Sequence, residues 1–186
     1  MKKKVILFLS ITFVTVMVAV FIRDLMNGNS STWPDALGRT LFSVLPISLL
    51  FLKKIPFNLP LIIGYYLLLF CTFFLGAILK FYDRFHWWDT ALHFFGSAYT
   101  AFVGIAIYNI LLPNRLDKEI SRWMIFLFVW SFAVTFSVLW ESAEFAGGVM
   151  GVMEEDSNRD TMTDMLTGAA GAIIVACYAA LQKRAG

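Results

Sequence analysis

Six long apolar runs, separated by short polar segments, constrain this chain more than any other feature of its sequence. In hydrocarbon every backbone N–H and C=O must be paired within protein, so runs of this length fold as helices packed side by side. They fall at 5–22, 36–52, 59–79, 88–112, 123–145 and 161–181. Each approaches or exceeds the roughly 20 residues that cross a ~30 Å hydrocarbon core. Apolar residues fill whole runs rather than one face of a helical period, which argues for spans over amphipathic surface helices. With 59% hydrophobic and only 15% charged residues, all 186 residues are expected to form a single integral membrane domain. The fold class is all-α: a polytopic bundle of six transmembrane helices.

Punctuation supports these limits. Pro56 and Pro60 break the chain before the third run, Pro113 stops the fourth, and Arg39 lies one turn inside the second. The N-terminal MKKK and the run Val5 to Ile22 have the charge and hydrophobicity of a signal peptide. The run is long for that role and no A-x-A site follows it, so an uncleaved first span is expected. Asn29-Ser30-Ser31 fits a glycosylation sequon, which has no meaning in a bacterium. Cys71 and Cys177 fall inside apolar runs without a CxxC spacing and read as lipid-facing or packing residues. A net charge of +2 and no basic patch interleaved with aromatics exclude nucleic acid as a partner.

Lys and Arg give the orientation. With the N-terminus inside, Lys2, Lys3, Lys4, Lys53, Lys54, Arg115, Lys118, Arg122, Lys183 and Arg184 are cytoplasmic, ten of the 15 basic residues. Arg23, Arg39, Lys80, Arg84 and Arg159 remain outside. Both termini are therefore expected in the cytoplasm. Of the 13 acidic residues only Asp117 and Glu119 lie inside. The acidic skew is independent of the rule that set the orientation, and it marks the outer face.

On that face three spans carry polar stripes at helical spacing. The fourth has Asp89, His93, Ser97, Thr100 and Gly104; the fifth Ser137, Glu141, Glu144 and Gly148; the sixth Asp160, Asp164, Thr167 and Gly171. Lipid cannot solvate such stripes, so they must face one another or a water-filled cavity. Gly96, Ser97 and Ala98, with Gly168, Ala169, Gly171, Ala172 and Ala176, allow close helix approach, which plain packing also explains.

Carboxylate oxygens with one imidazole suit a divalent cation such as Mg²⁺, Mn²⁺ or Zn²⁺. Asp89 with His93, Glu141 with Glu144 and Asp160 with Asp164 are each spaced to share an ion, and together could hold two, as in phosphoryl chemistry. The simpler alternative is charge pairing with Arg39, Arg84, Arg159 and Lys80. Glu154, Glu155 and Asp156 read as a solvated loop. His86, beside the interfacial Trp87 and Trp88, reads as a surface histidine.

Taken in order, D-x-x-x-H-F (Asp89, His93, Phe94), W-E-x-x-E (Trp140, Glu141, Glu144), D-x-x-x-D-M (Asp160, Asp164, Met165) and Gly171-Ala172 resemble the YjdF-like bacterial inner-membrane proteins. They are more distantly similar to VanZ-like proteins linked with glycopeptide resistance. The resemblance covers Tyr82 to Ala176, while the first three spans match in hydropathy alone. It implies a bacterial cytoplasmic-membrane protein and supports the fold and the residue set, and it supplies no reaction. The family pattern has a Gly-Asp pair before D-x-x-x-D-M where this chain has Asp156-Ser157-Asn158-Arg159, so Asp156 would have to serve from a shifted position.

Three functions compete. The first is a metal-dependent hydrolase or transferase acting on a lipid-linked or headgroup phosphate. Asp89, His93, Glu141, Glu144, Asp160 and Asp164 would hold the ion, with Glu141 and His93 as the catalytic pair and Arg39, Arg84 or Arg159 gripping the anion. The second is a proton- or cation-coupled transporter, disfavoured because the acids crowd one face and the inner halves offer only Tyr108, Ser131 and Tyr178. The third is a non-catalytic resistance, immunity or assembly factor whose acidic pocket binds a partner.

Overall fold

The computed structural model describes residues 1–26, 33–112, 119–151 and 157–182, with side chains from residue 36 onward in the second of these segments. Outside the described residues lie the Asn29-Ser30-Ser31 sequon, Pro113, Arg115, Asp117, Lys118, the acidic run Glu154 to Asp156, Lys183 and Arg184.

Among the described residues the chain is entirely helical. Its elements are α1 (Lys2–Met26), α2 (Trp33–Val44), α3 (Leu59–Leu69), the single turn α4 (Phe81–Arg84), α5 (Trp88–Leu111), α6 (Arg122–Val149) and α7 (Asn158–Gln182). A 3₁₀ segment, Leu45–Phe51, continues α2, and a π-helical segment, Phe70–Ile78, continues α3. Five helices are long and apolar enough to cross a membrane: Lys2–Met26, Leu59–Ile78, Trp88–Leu111, Arg122–Val149 and Asn158–Gln182. The second expected span, 36–52, corresponds to a shorter apolar helix, Ala36–Phe51. Its second half is stretched, because a 3₁₀ helix rises about 2.0 Å per residue against about 1.5 Å for an α-helix.

Local chemistry sets the helix ends. Asn58 accepts a hydrogen bond from the Leu61 amide (2.9 Å) and caps α3. Pro60 sits in the first turn of α3, where its missing N–H costs nothing, so it opens this helix rather than breaking one. Ser121 caps α6 through the Met124 amide (3.2 Å), and Ser157 caps α7 through the Asp160 amide (3.2 Å). α5 gives way at Leu112 to extended backbone (φ −87°, ψ 119°), the conformation that a following proline enforces. Between the π segment and α4, Lys80 takes the left-handed conformation (φ 59°, ψ 39°), which turns the chain back on itself.

Two packed groups make the interior. α5, α6 and α7 surround one core of Ala101, Tyr108, Ile125, Val129, Ala133, Ala172, Val175, Ala176 and Ala179. α1, α3 and the π segment enclose a second, with Ile6, Met17, Ile62, Tyr66, Leu69 and Phe73. Hydrogen bonds cross between helices, and one of them, from Tyr99 to Leu61, joins the two groups. The Ser10 and Tyr66 hydroxyls meet at 2.5 Å, Tyr65 donates to the Phe42 carbonyl (2.8 Å), and Tyr99 donates from α5 to the Leu61 carbonyl of α3 (2.9 Å). Elsewhere the surface is greasy: Phe8, Phe95, Leu127, Phe145, Ile174 and Leu181 are all exposed, as lipid-facing residues should be. Cys71 is half-buried and Cys177 exposed, both free thiols.

Candidate functional site

The three-helix core changes character along its length. On α6 the buried row Ile125, Val129, Ala133, Ser137, Glu141 runs from fully apolar to charged in steps of four residues. α7 matches it with Asp164, Gly168, Gly171 and Ala172, and α5 with Ser97, Ala101 and Gly104. Small residues let the backbones approach. A Cβ on Gly171 would collide with the Phe94 carbonyl, and one on Gly168 would lie 2.6 Å from Ser137 Oγ and 2.7 Å from Ser97 Oγ. Gly168 thus leaves room for two serine hydroxyls, which floor the charged layer.

His93 is the centre of that layer. Its side chain is 9% exposed, with Nδ1 3.1 Å from Glu141 Oε1 and Nε2 3.6 Å from Asp89 Oδ1. Two groups of candidate ligands share this imidazole: Asp89, His93 and Asp164, and His93, Glu141 and Glu144. Within each group the ligand atoms lie within 4.8 Å of one another. Metal–oxygen bonds of about 2.1 Å set adjacent ligands about 3.0 Å apart and opposite ones about 4.2 Å apart, so small side-chain movements would close either group on an ion. Glu141 and Asp164 are 5% and 3% exposed. Asp164 lies beside Thr90, and its buried Oδ1 has no hydrogen-bond partner among the described residues.

Five of the six expected ligands therefore converge: Asp89, His93, Glu141, Glu144 and Asp164. Asp160, one turn before Asp164, is exposed and belongs to neither group. Of the candidate anion-binding residues, Arg84 and Arg159 are exposed, whereas Arg39 is half-buried and close enough to act on the Tyr82 phenol. His86 is exposed, as expected.

Sequence reasoning missed Tyr82. The left-handed turn at Lys80 folds its ring onto Gly76 of the π segment, where no other residue would leave room. Its hydroxyl lies near Thr72, Asp89, Glu144 and Arg39. Burial, and next the Asp89 charge, push this phenol well above the ordinary tyrosine range, so it stays a neutral hydroxyl. The available signals were a glycine in the third run and a tyrosine just beyond it. Neither has a spacing that links them.

A bundle of apolar helices with a polar mouth defines an integral membrane protein with several spans. The chain belongs to the family described as predicted membrane protein (DUF2238), whose model matches residues 5–185. No curated protein and no solved structure matches it.

Proposed function

We propose that this protein is a divalent-metal-dependent hydrolase or transferase acting on a phosphate carried by a lipid. One observation carries the reading. Asp164 presents a carboxylate buried to 3% exposure, with Oδ1 unpartnered, beside His93 and Asp89. A carboxylate oxygen buried this deeply is costly without a partner, and a divalent cation would supply one to Asp164. Such an ion would polarise a phosphoryl oxygen, while a glutamate on α6 takes the proton of an attacking water. In hydrolysis the water oxygen forms the new P–O bond, the ester P–O bond breaks, and that proton returns to the departing oxygen. Arg39 and the Tyr82 hydroxyl stand where the remaining phosphate oxygens would be held.

The site is read at the extracytoplasmic end, with six crossings and both termini in the cytoplasm. The ten-to-five distribution of basic residues supports this. So does the stretched second helix, since Trp33–Phe51 in its α and 3₁₀ parts extends about 30 Å. Resemblance to YjdF-like and, more distantly, VanZ-like proteins fits a bacterial inner membrane with a site open to the outer leaflet. The test is elemental analysis of purified protein with its co-extracted lipids, followed by phosphate release from those lipids with Mn²⁺ or Mg²⁺. The reading requires bound metal and a turnover lost in Asp164→Asn. Protein that binds neither Mn²⁺, Mg²⁺ nor Zn²⁺ would sink it.

A further inference from the structure

We propose that His93 divides its surroundings into two unlike halves: Nε2, Asp89 and Asp164 take the ion, while Glu141 holds Nδ1 and acts as a positioning residue. Glu144 is then left outside the ligand set as the group that takes the proton. This rests on the metal-dependent reading above and deepens it.

A neutral imidazole carries one proton and one lone pair, so His93 can ligate on one side only. Both candidate groups depend on His93, and with a neutral ring only one of them can be completed by it. The distances choose between them. Nδ1 is 3.1 Å from Glu141 Oε1, an ion-pair distance that a small turn of the ring would align into an N–H to carboxylate hydrogen bond. Nε2 is 3.6 Å from Asp89 Oδ1, too far for a hydrogen bond but between the adjacent and opposite spacings of two ligands on one ion. Asp164, whose Oδ1 has no hydrogen-bond partner among the described residues, groups with Asp89 and His93 rather than with Glu141 and Glu144. A carboxylate behind a ligating histidine fixes its tautomer and strengthens its donor nitrogen, and losing that carboxylate costs about 10–100-fold in metal affinity. Glu144 is half-buried and, like Asp89, lies close enough to act on the Tyr82 phenol; it is set apart from the ligands by grouping with Glu141 rather than with Asp89 and Asp164.

Mn²⁺ titration of the purified full chain, read by the EPR signal of the free ion, tests this. Wild type should bind one ion, Asp89→Asn and Asp164→Asn should lose binding by more than about 100-fold, and Glu141→Gln should weaken it about 10–100-fold at unchanged stoichiometry. Glu144→Gln should bind with wild-type affinity. Loss of binding in Glu144→Gln with retention in Asp164→Asn would overturn the assignment, as would two ions per wild-type chain, while leaving the metal-dependent reading intact. Wild-type protein that takes up no ion would overturn both. A second measurement needs no substitution in the site. The chain has only two histidines, so ¹⁵N-imidazole spectra are assignable with His86→Gln. Zn²⁺ should shift the Nε2 signal of His93 and leave Nδ1 protonated; a shifted, deprotonated Nδ1 would overturn the proposal.

Discussion

Asp164 concentrates the energetic problem of this protein in one side chain. Its carboxylate is almost wholly buried, and its neighbours Asp89, Glu141 and Glu144 are acidic too. In the ion-free protein Asp164→Asn should therefore raise the thermal midpoint, because it removes one buried like charge. With Mn²⁺ at about 100 times its Kd, wild type should gain about 2.7 kcal/mol and the variant almost nothing. Thermal unfolding in detergent with Mn²⁺, and again with a chelator, reads both effects. An equal gain in the two proteins would contradict the site. At Tyr82 the ring and the hydroxyl separate: Tyr82→Phe should cost about 1 kcal/mol, while Tyr82→Ala, which empties the contact with Gly76, should cost about 3–5 kcal/mol. The convergence of Asp89, His93, Glu141, Glu144 and Asp164 was legible in sequence because polar stripes at helical spacing in an apolar run have few places to go. Tyr82 was not, since its position depends on the backbone conformation of Lys80, which sequence pattern does not encode. Asp160 reads like Asp164 in sequence and shares its face of α7, but it lies one turn nearer the helix end, where it is exposed.

Among the elements, α5 and α7 touch most closely. Gly171→Leu should force them apart against the Phe94 carbonyl and cost more than about 3 kcal/mol, or prevent folding. Gly96→Ala, whose new Cβ would meet nothing within 4 Å, should be neutral or stabilise by up to about 1 kcal/mol. Unfolding in SDS–detergent mixtures compares them directly. The sequence marks both glycines as small positions suited to helix contact; only Gly171 is at one. On α5 close approach instead falls to Ser97, Ala101 and Gly104. Lys80→Gly offers a third check, since a left-handed lysine carries strain of roughly 1–2 kcal/mol that glycine relieves in part. The 3₁₀ and π segments were invisible to hydropathy, which counts apolar residues without recording how tightly the backbone winds.

For the whole molecule, topology turns on the segment Ala36–Phe51. If it crosses, both termini lie on one side; if it does not, they lie on opposite sides. Reporter fusions to each end should both be active in the cytoplasm, and a split result would place the site of α5, α6 and α7 differently with respect to the N-terminus. The long runs were readable because length and composition decide them.

The buried row of α6 has a last consequence. From Ile125 through Ala133 the core shared with α5 and α7 is packed with apolar side chains, and only from Ser137 onward does it turn polar. An electric field across the membrane drops mainly through the apolar insulator, so a cation entering at the Glu141 end traverses little of it. Full passage of one charge is worth about 2.3 kcal/mol per 100 mV. Occupancy of the site should hence be the same in polarised and depolarised membranes, leaving it a chemical station on one side rather than an electrical sensor.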